Sequence, residues 1–256
     1  FNKHIYFSDL SGNIFSYSIE NKKTLWKFNF YKKKFPNIPI KLNLLINEEN
    51  LIVGDNLGYF YNIDINTGDL KWAKNQGVPI TSEIKSHENK IFLLNQDNKF
   101  YIFEPKKGDK ILDFETFPVL LKKNNKQTVA IDNKNNLYFV TSAGQIFSLN
   151  HKNYKINWLK TIKDTGSSEE LGIFSSSPII FDEDLIFLST SKTTMCINSL
   201  TGETKWKIPF GTRINPVVSN RFIFLISKDG FILNIDKTNG EVVWSKKLLS
   251  GEDLNK

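Results

Sequence analysis

The sequence predicts an all-β chain, a β-propeller of four-stranded antiparallel blades built from six copies of one repeat. Three observations predict it. Six bulky anchor positions, Trp26, Trp72, Leu112, Trp158, Trp206 and Trp244, each end a block in which residue types recur at fixed offsets. Each block opens on a strand-length apolar run: IYFSD, LIVGD, IFLLN, LYFVT, LIFLS or IFLIS. Between runs stand the residues that tight turns require.

The offsets justify the elements in order. Twenty-one residues before each anchor is an aliphatic residue: Ile5, Leu51, Ile91, Leu137, Leu185 or Ile223. The opening runs are almost continuously apolar, so both faces of each sheet need cover, which neighbouring sheets stacked face to face supply. Fourteen residues before the anchor come Gly12, Gly58, Asn98, Gly144, Lys192 and Gly230, where a hairpin needs positive φ. A second strand follows, such as IFSYSI or YFYNID. Eight before the anchor, Asp64 and Asp236 are placed to accept hydrogen bonds from nearby backbone amides. Four before it, Gly68, Gly108, Gly202 and Gly240 take the left-handed conformation. The anchor then lies on the outer strand, where burial of each tryptophan contributes about 2–3 kcal/mol by docking one blade on the next. A further strand in the variable segment, as in IKLNLLI, SSSPIIF or INPVVS, completes the four. The blocks align without a gap, and all length variation falls between an anchor and the next block. Leu112 in the third copy and Tyr154 in the fourth depart from the pattern, which predicts looser blades there. The domain reading is one propeller over 1–256.

Composition agrees. The apolar share is 40%, with 21 Phe, 8 Tyr and 5 Trp, enough strand formers for a large core. No run approaches the roughly 20 apolar residues of a membrane-spanning helix. The net charge of +7 comes mostly from lysines scattered over turns, so it argues for solvated surface rather than a nucleic-acid groove. The one dense cluster, Lys32 to Lys34, lies among Phe30, Tyr31 and Phe35. Aromatics between lysines can serve single strands, but a lone cluster is weak support. Cys196 is the sole cysteine, so no intramolecular disulfide can form.

Candidate chemistry is sparse. His4, His87 and His151 stand at different repeat offsets, which argues against a shared metal or catalytic site and places His87 and His151 in surface loops. The acidic groups Glu48-Glu49, Glu169-Glu170 and Asp182-Glu183-Asp184 fall in polar connections and read as solvated turns. The serines of SSSPII lack a nucleophile motif, and no glycine-rich phosphate loop is present. The sequence therefore predicts no catalytic, cofactor or metal residues. Function concentrates instead in the long connections FYKKKFPNIP (30–39) and TIKDTGSSEELGIF (161–174). Their Phe35, Ile38, Leu171, Ile173 and Phe174 are the candidate partner-binding residues.

The stretches NIDINTGDLKW (62–72), CINSLTGETKW (196–206) and NIDKTNGEVVW (234–244) resemble the PQQ-like repeat, roughly A-x-D-x-x-T-G-x-x-x-W. The resemblance covers nearly the whole chain. It implies one of two behaviours: quinoprotein dehydrogenases bind PQQ and calcium, whereas outer-membrane assembly lipoproteins of the BamB type are cofactor-free scaffolds. Paired cysteines and acidic calcium ligands, implied for the first, have no counterpart motif here. The second implies a non-catalytic envelope or periplasmic scaffold binding other proteins, with no nucleic acid and with membrane contact only through an anchor or partner outside this sequence. A divergent quinoprotein, and a sensor or extracellular binding domain, are the alternatives. Both family branches have eight blades. The chain opens on Phe1, with no room for an innermost strand before IYFSD, and closes on the polar SGEDLNK. That reads as an excerpt of an eight-bladed parent, with any signal peptide or lipid anchor lying upstream.

Overall fold

The computed structural model describes residues 3–31, 34–35, 38–117, 127–162, 174–212, 214–227 and 229–248. The chain divides into two compact units, Phe1–Thr116 and Phe117–Lys256. Among the described residues every regular element is a strand, and every sheet runs up and down in sequence order.

In the first unit, the first sheet has three strands: β1 (His4–Ser8), β2 (Asn13–Ser18) and β3 (Lys23–Asn29). The second sheet has four: β4 (Leu42–Asn47), β5 (Asn50–Asp55), β6 (Tyr59–Asp64) and β7 (Leu70–Asn75). The third holds β8 (Lys85–His87), β9 (Lys90–Leu94), β10 (Phe100–Phe103) and β11 (Lys110–Phe114). The second unit repeats the pattern. Its first sheet is β12 (Val129–Ile131), β13 (Asn136–Val140), β14 (Gln145–Asn150) and β15 (Ile156–Thr161). Next come β16 (Ile180–Asp182), β17 (Leu185–Ser189), β18 (Thr194–Asn198) and β19 (Thr204–Ile208). Last come β20 (Val217–Ser219), β21 (Phe222–Ile226), β22 (Phe231–Asp236) and β23 (Val242–Lys247).

The core of each unit lies between adjacent sheets. Tyr138, Val140 and Ile146 of the fourth sheet pack with Ile186, Leu188, Met195 and Ile197 of the fifth. Leu185, Phe187, Cys196 and Trp206 pack with Ile223, Leu225, Leu233 and Ile235 of the sixth. In the first unit, Ile14, Tyr6 and Trp26 meet Leu51, Val53, Tyr61 and Ile63. Continuous burial holds for β5, β9, β13 and β17, but not for the first and last sheets. There, β1 and β21 alternate between more and less buried positions, as successive residues of a strand face opposite sides of the sheet.

Five hairpins after the opening strand share a three-residue loop closed by a left-handed residue: Gly12, Gly58, Asn98, Gly144 or Gly230. The fifth corrects the gap-free alignment. In the other copies the residue at offset 21 pairs with the one at offset 9, as in Leu51 with Ile63 and Leu137 with Leu149. In the fifth, Ile186 pairs with Ile197 and Leu185 moves on to Asn198. The hairpin is one residue shorter, with Thr190 N donating to Thr193 O at 2.8 Å across Ser191-Lys192. Lys192 therefore does not need the positive φ that its column implied.

Four residues before the anchor, all six copies are left-handed: Lys22, Gly68, Gly108, Tyr154, Gly202 and Gly240. For tyrosine this geometry costs about 1–2 kcal/mol. Replacing Tyr154 by glycine is expected to raise unfolding free energy by roughly 0.5–1 kcal/mol, after the entropy gained by the unfolded chain. Urea denaturation of the two proteins checks this.

Candidate functional site

The recurring columns build a repeated joint. Trp26, on β3, donates its indole Nε1 to Ile65 O at 3.1 Å, and Trp72, on β7, donates to Pro105 O at 3.0 Å. In the second unit Trp158 donates to Ser199 O at 2.8 Å, and Trp206 donates to Lys237 O at 2.9 Å. Each accepting carbonyl stands three residues before a left-handed glycine. The same indole lies on that glycine so closely that an added Cβ at Gly68, Gly108, Gly202 or Gly240 would sit 2.7–2.8 Å from the ring. Leu112 is half-buried on β11 and has no side-chain donor. Trp244, on β23, is 42% exposed.

The turn that supplies the carbonyl is held by the side chain eight before the anchor. Asp64 Oδ1 accepts from Asn66 N and Thr67 N, and Lys71 beside it holds the carboxyl below the usual carboxylate range. Asp236 accepts from the Thr238 hydroxyl and backbone N–H, and is paired with Arg221, all of which pull it down to about 2. Both carboxylates have depressed folded-state values. Their contribution is therefore present above the unfolded value near 4 and is lost as pH falls through it towards the folded one. Denaturant midpoints measured from pH 6 down to pH 2.5 are expected to fall progressively below pH 4, and Asp236→Asn should flatten that fall.

A second turn-holding column escaped the sequence reading. Seventeen residues before the anchor, Asp9, Asp55 and Asn95 each accept two backbone N–H groups of their own hairpin: Asp55 Oδ1 takes Leu57 N at 2.8 Å and Tyr59 N at 2.7 Å. Thr141 and Ser227 accept one each through their hydroxyls. The signal was the run Asp, Asp, Asn, Thr, Ser, Ser at that offset, in which every residue can form such a turn.

Asp55 also anchors the first candidate loop. It is fully buried and receives the hydroxyl of Tyr31, which is buried as well. Burial raises the pKa of both groups, and that of the neighbouring Tyr61. Downstream the loop is tied by Ile40 N to Leu10 O at 2.8 Å and by Asn56 Nδ2 to Pro39 O at 3.0 Å. Phe35 is half-buried and packs on Tyr31, with Lys34 Nζ 5.5 Å from its ring and 5.8 Å from that of Tyr59. Ile38, at 46% exposed, and Leu10, at 65%, face solvent. Lys34 and Ile38 of this connection and Leu10 of the first hairpin are thus presented to solvent beside residues that these bonds hold.

The second loop differs. Leu171 and Ile173 lie outside the described residues. Phe174, which the sequence suggested as exposed, is half-buried against the core between the fourth and fifth sheets and touches the hairpin at Gly144. Its backbone N donates to Ser142 O at 3.0 Å, so the return into β16 begins there.

Glu169 and Glu170 lie outside the described residues. His87 and His151 are not in solvated loops: His87 ends β8 and is half-buried, and His151 is fully buried in the turn after β14, with its N donating to Asn135 O at 3.0 Å. The acidic turn 182–184 is ion-paired rather than merely solvated. Lys237 Nζ reaches Asp182 at 2.6 Å, and Lys134 Nζ reaches Asp184 at 2.6 Å, joining three sheets of the second unit. Cys196 is buried in β18, and burial pushes its thiol up to about 12, which suits a packing residue rather than a nucleophile.

The family model described as outer membrane protein assembly factor BamB matches residues 10–246. The chain belongs to this family. A curated relative, an uncharacterised protein of Rickettsia prowazekii, is 20% identical over 93% of the chain and 58% of its own length. The chain thus spans little more than half of the curated relatives it matches along its whole length. BamB from Moraxella catarrhalis is similar in structure, with a TM-score of 0.81 and 13% identity over 98% of this chain and 75% of that one. A europium-containing methanol dehydrogenase gives a TM-score of 0.75 and 15% identity over 98% and 68%. These likenesses establish the fold as a β-propeller of the PQQ-like, BamB-like kind.

Cys196 is the sole cysteine, free and buried, and Asp64 and Asp236 are engaged in their own turns.

Proposed function

We propose that this chain is a non-catalytic protein-binding scaffold of the cell envelope, with a BamB-like role in outer-membrane protein assembly. It would form part of a single propeller domain and meet its partners, other envelope proteins, through loops. Membership of the BamB family supports the setting. The observation that carries the binding role is the connection between the first and second sheets. It is fixed at Tyr31 and Ile40, yet presents Lys34, Ile38 and the nearby Leu10 outward. Loops on a scaffold that bear exposed aliphatic residues beside a cation suit protein contact, where a few buried side chains dominate affinity.

The test is capture from a detergent extract of the envelope of the producing cells, with the purified full-length polypeptide as bait. Leu10→Asp with Ile38→Asp should reduce recovery of its specific partners by tenfold or more, with the melting temperature unchanged because both sites are exposed. Equal recovery by wild type and variant would remove this loop from the binding surface.

A further inference from the structure

The connection between the first and second sheets lies in a stretch of one-signed charge. From Asn21 to Asn47 the chain carries seven lysines and no aspartate or glutamate. Elsewhere in the first unit many lysines are neutralised: Lys3, Lys71, Lys74, Lys85, Lys99 and Lys110 each reach a carboxylate within 3.3 Å. Lys34 and Lys41 are exposed and make no ion pair among the described residues. Lys34 is held by other means. Its Nζ donates to the Tyr59 hydroxyl oxygen at 3.3 Å and lies over the rings of Phe35 and Tyr59. That hydroxyl keeps its own proton to donate, so ammonium and hydroxyl stand side by side as two donors for one anion. An ammonium already ordered by rings loses less freedom when the anion arrives.

We infer that this surface receives an acidic, aliphatic segment of a partner protein, with a carboxylate on Lys34 Nζ and the Tyr59 hydroxyl, another carboxylate by Lys41, and aliphatic side chains against Ile38 and Leu10. The inference rests on the protein-binding reading above and gives the partner its chemistry. Charge complementarity selects the occupant, because unpaired cations beside apolar side chains match carboxylates spaced among aliphatic residues. Other polyanions fit less well. Phe30 stacks on Tyr61 with ring centroids 4.8 Å apart and Tyr31 is buried, so neither offers a platform for nucleic-acid bases. Asp9, exposed beside Leu10 and holding Ser11 N and Asn13 N of its own hairpin, opposes a continuous layer of lipid phosphates. A peptide avoids it by keeping its carboxylates on the lysine side.

The test uses the natural full-length protein and two fluorescent peptides, one alternating aspartate with leucine and one alternating asparagine with leucine, followed by anisotropy. The aspartate peptide should bind about tenfold more tightly at low salt, and high salt should erase the difference. Lys34→Glu with Lys41→Glu should erase it too. Tyr59→Phe should weaken the aspartate peptide severalfold and leave the asparagine peptide unchanged. Equal affinities, or a preference that survives the lysine reversals, would overturn the proposal. Binding to phosphatidylglycerol vesicles in place of the peptide, lost on the same reversals, would overturn it in favour of a membrane surface. The capture assay separates this proposal from the reading beneath it. Recovery lost in Leu10→Asp with Ile38→Asp but kept in Lys34→Glu with Lys41→Glu would leave a protein-binding loop and refute the acidic partner. Recovery kept by both variants would remove the reading and the proposal together.

Discussion

Replacing Trp72 by alanine is expected to lower unfolding free energy by about 3–5 kcal/mol, the usual range for deleting a large aromatic from a packed site. The indole contributes its packing on Phe60 and its bond to Pro105 O, and its loss leaves a void beside Gly108. The reciprocal change, Gly108→Ala, is expected to cost roughly 2–4 kcal/mol. Its φ of +68° penalises any side chain, and the new Cβ would lie 2.7 Å from the ring. Because both changes act on one contact, the double variant should be more stable than the sum of the singles implies, by about 1–3 kcal/mol. Guanidinium denaturation of all four proteins gives the cycle. Strict additivity would mean that the indole and the glycine are not a joint but two independent sites.

The second large effect concerns Asp55. Alanine there leaves Leu57 N, Tyr59 N and the Tyr31 hydroxyl without their acceptor, and should cost roughly 2–4 kcal/mol. Asparagine keeps an oxygen for the two amides and an amide group facing the tyrosine, so Asp55→Asn should stay within about 1 kcal/mol of wild type. The pH dependence separates charge from hydrogen bonding. Burial raises the folded-state value of Asp55, so below its unfolded value the carboxyl is neutral in both states and carries no charge penalty. As pH rises through the folded value, wild type loses stability that the asparagine variant does not lose. The gap should therefore move in favour of asparagine between pH 4 and pH 7. Movement in the other direction would mean that the ionised carboxylate is a net stabiliser.

Sheet order, strand positions and the turn chemistry at offsets 8 and 4 were legible because they recur. A residue such as Gly202 or Asp236 explains itself when five other copies show the same backbone need. What was not legible is what breaks periodicity or spans it. Lys192 fell in a glycine column because a one-residue deletion in the fifth hairpin leaves the downstream offsets intact. Tyr31 lies in a variable segment, and nothing local announces that its hydroxyl meets a carboxylate 24 residues later. His151 reads as a loop residue by composition, yet the turn holding it folds inward. Phe174 looked exposed because it ends the long connection 161–174, whereas its ring is half-buried and packs beside Gly144. The candidate binding loop was legible by length alone. The bonds that hold Tyr31, Pro39 and Ile40 at its two ends were not legible.

The claim that this propeller acts as a scaffold without a quinone cofactor is tested most directly by titrating the natural full-length protein with PQQ in the presence of calcium, followed by calorimetry and melting temperature. No saturable heat and an unchanged melting temperature are predicted, since a ligand that does not bind the folded state cannot stabilise it. One-to-one binding with a raised melting temperature would contradict the account and assign the protein to the dehydrogenase side of its fold.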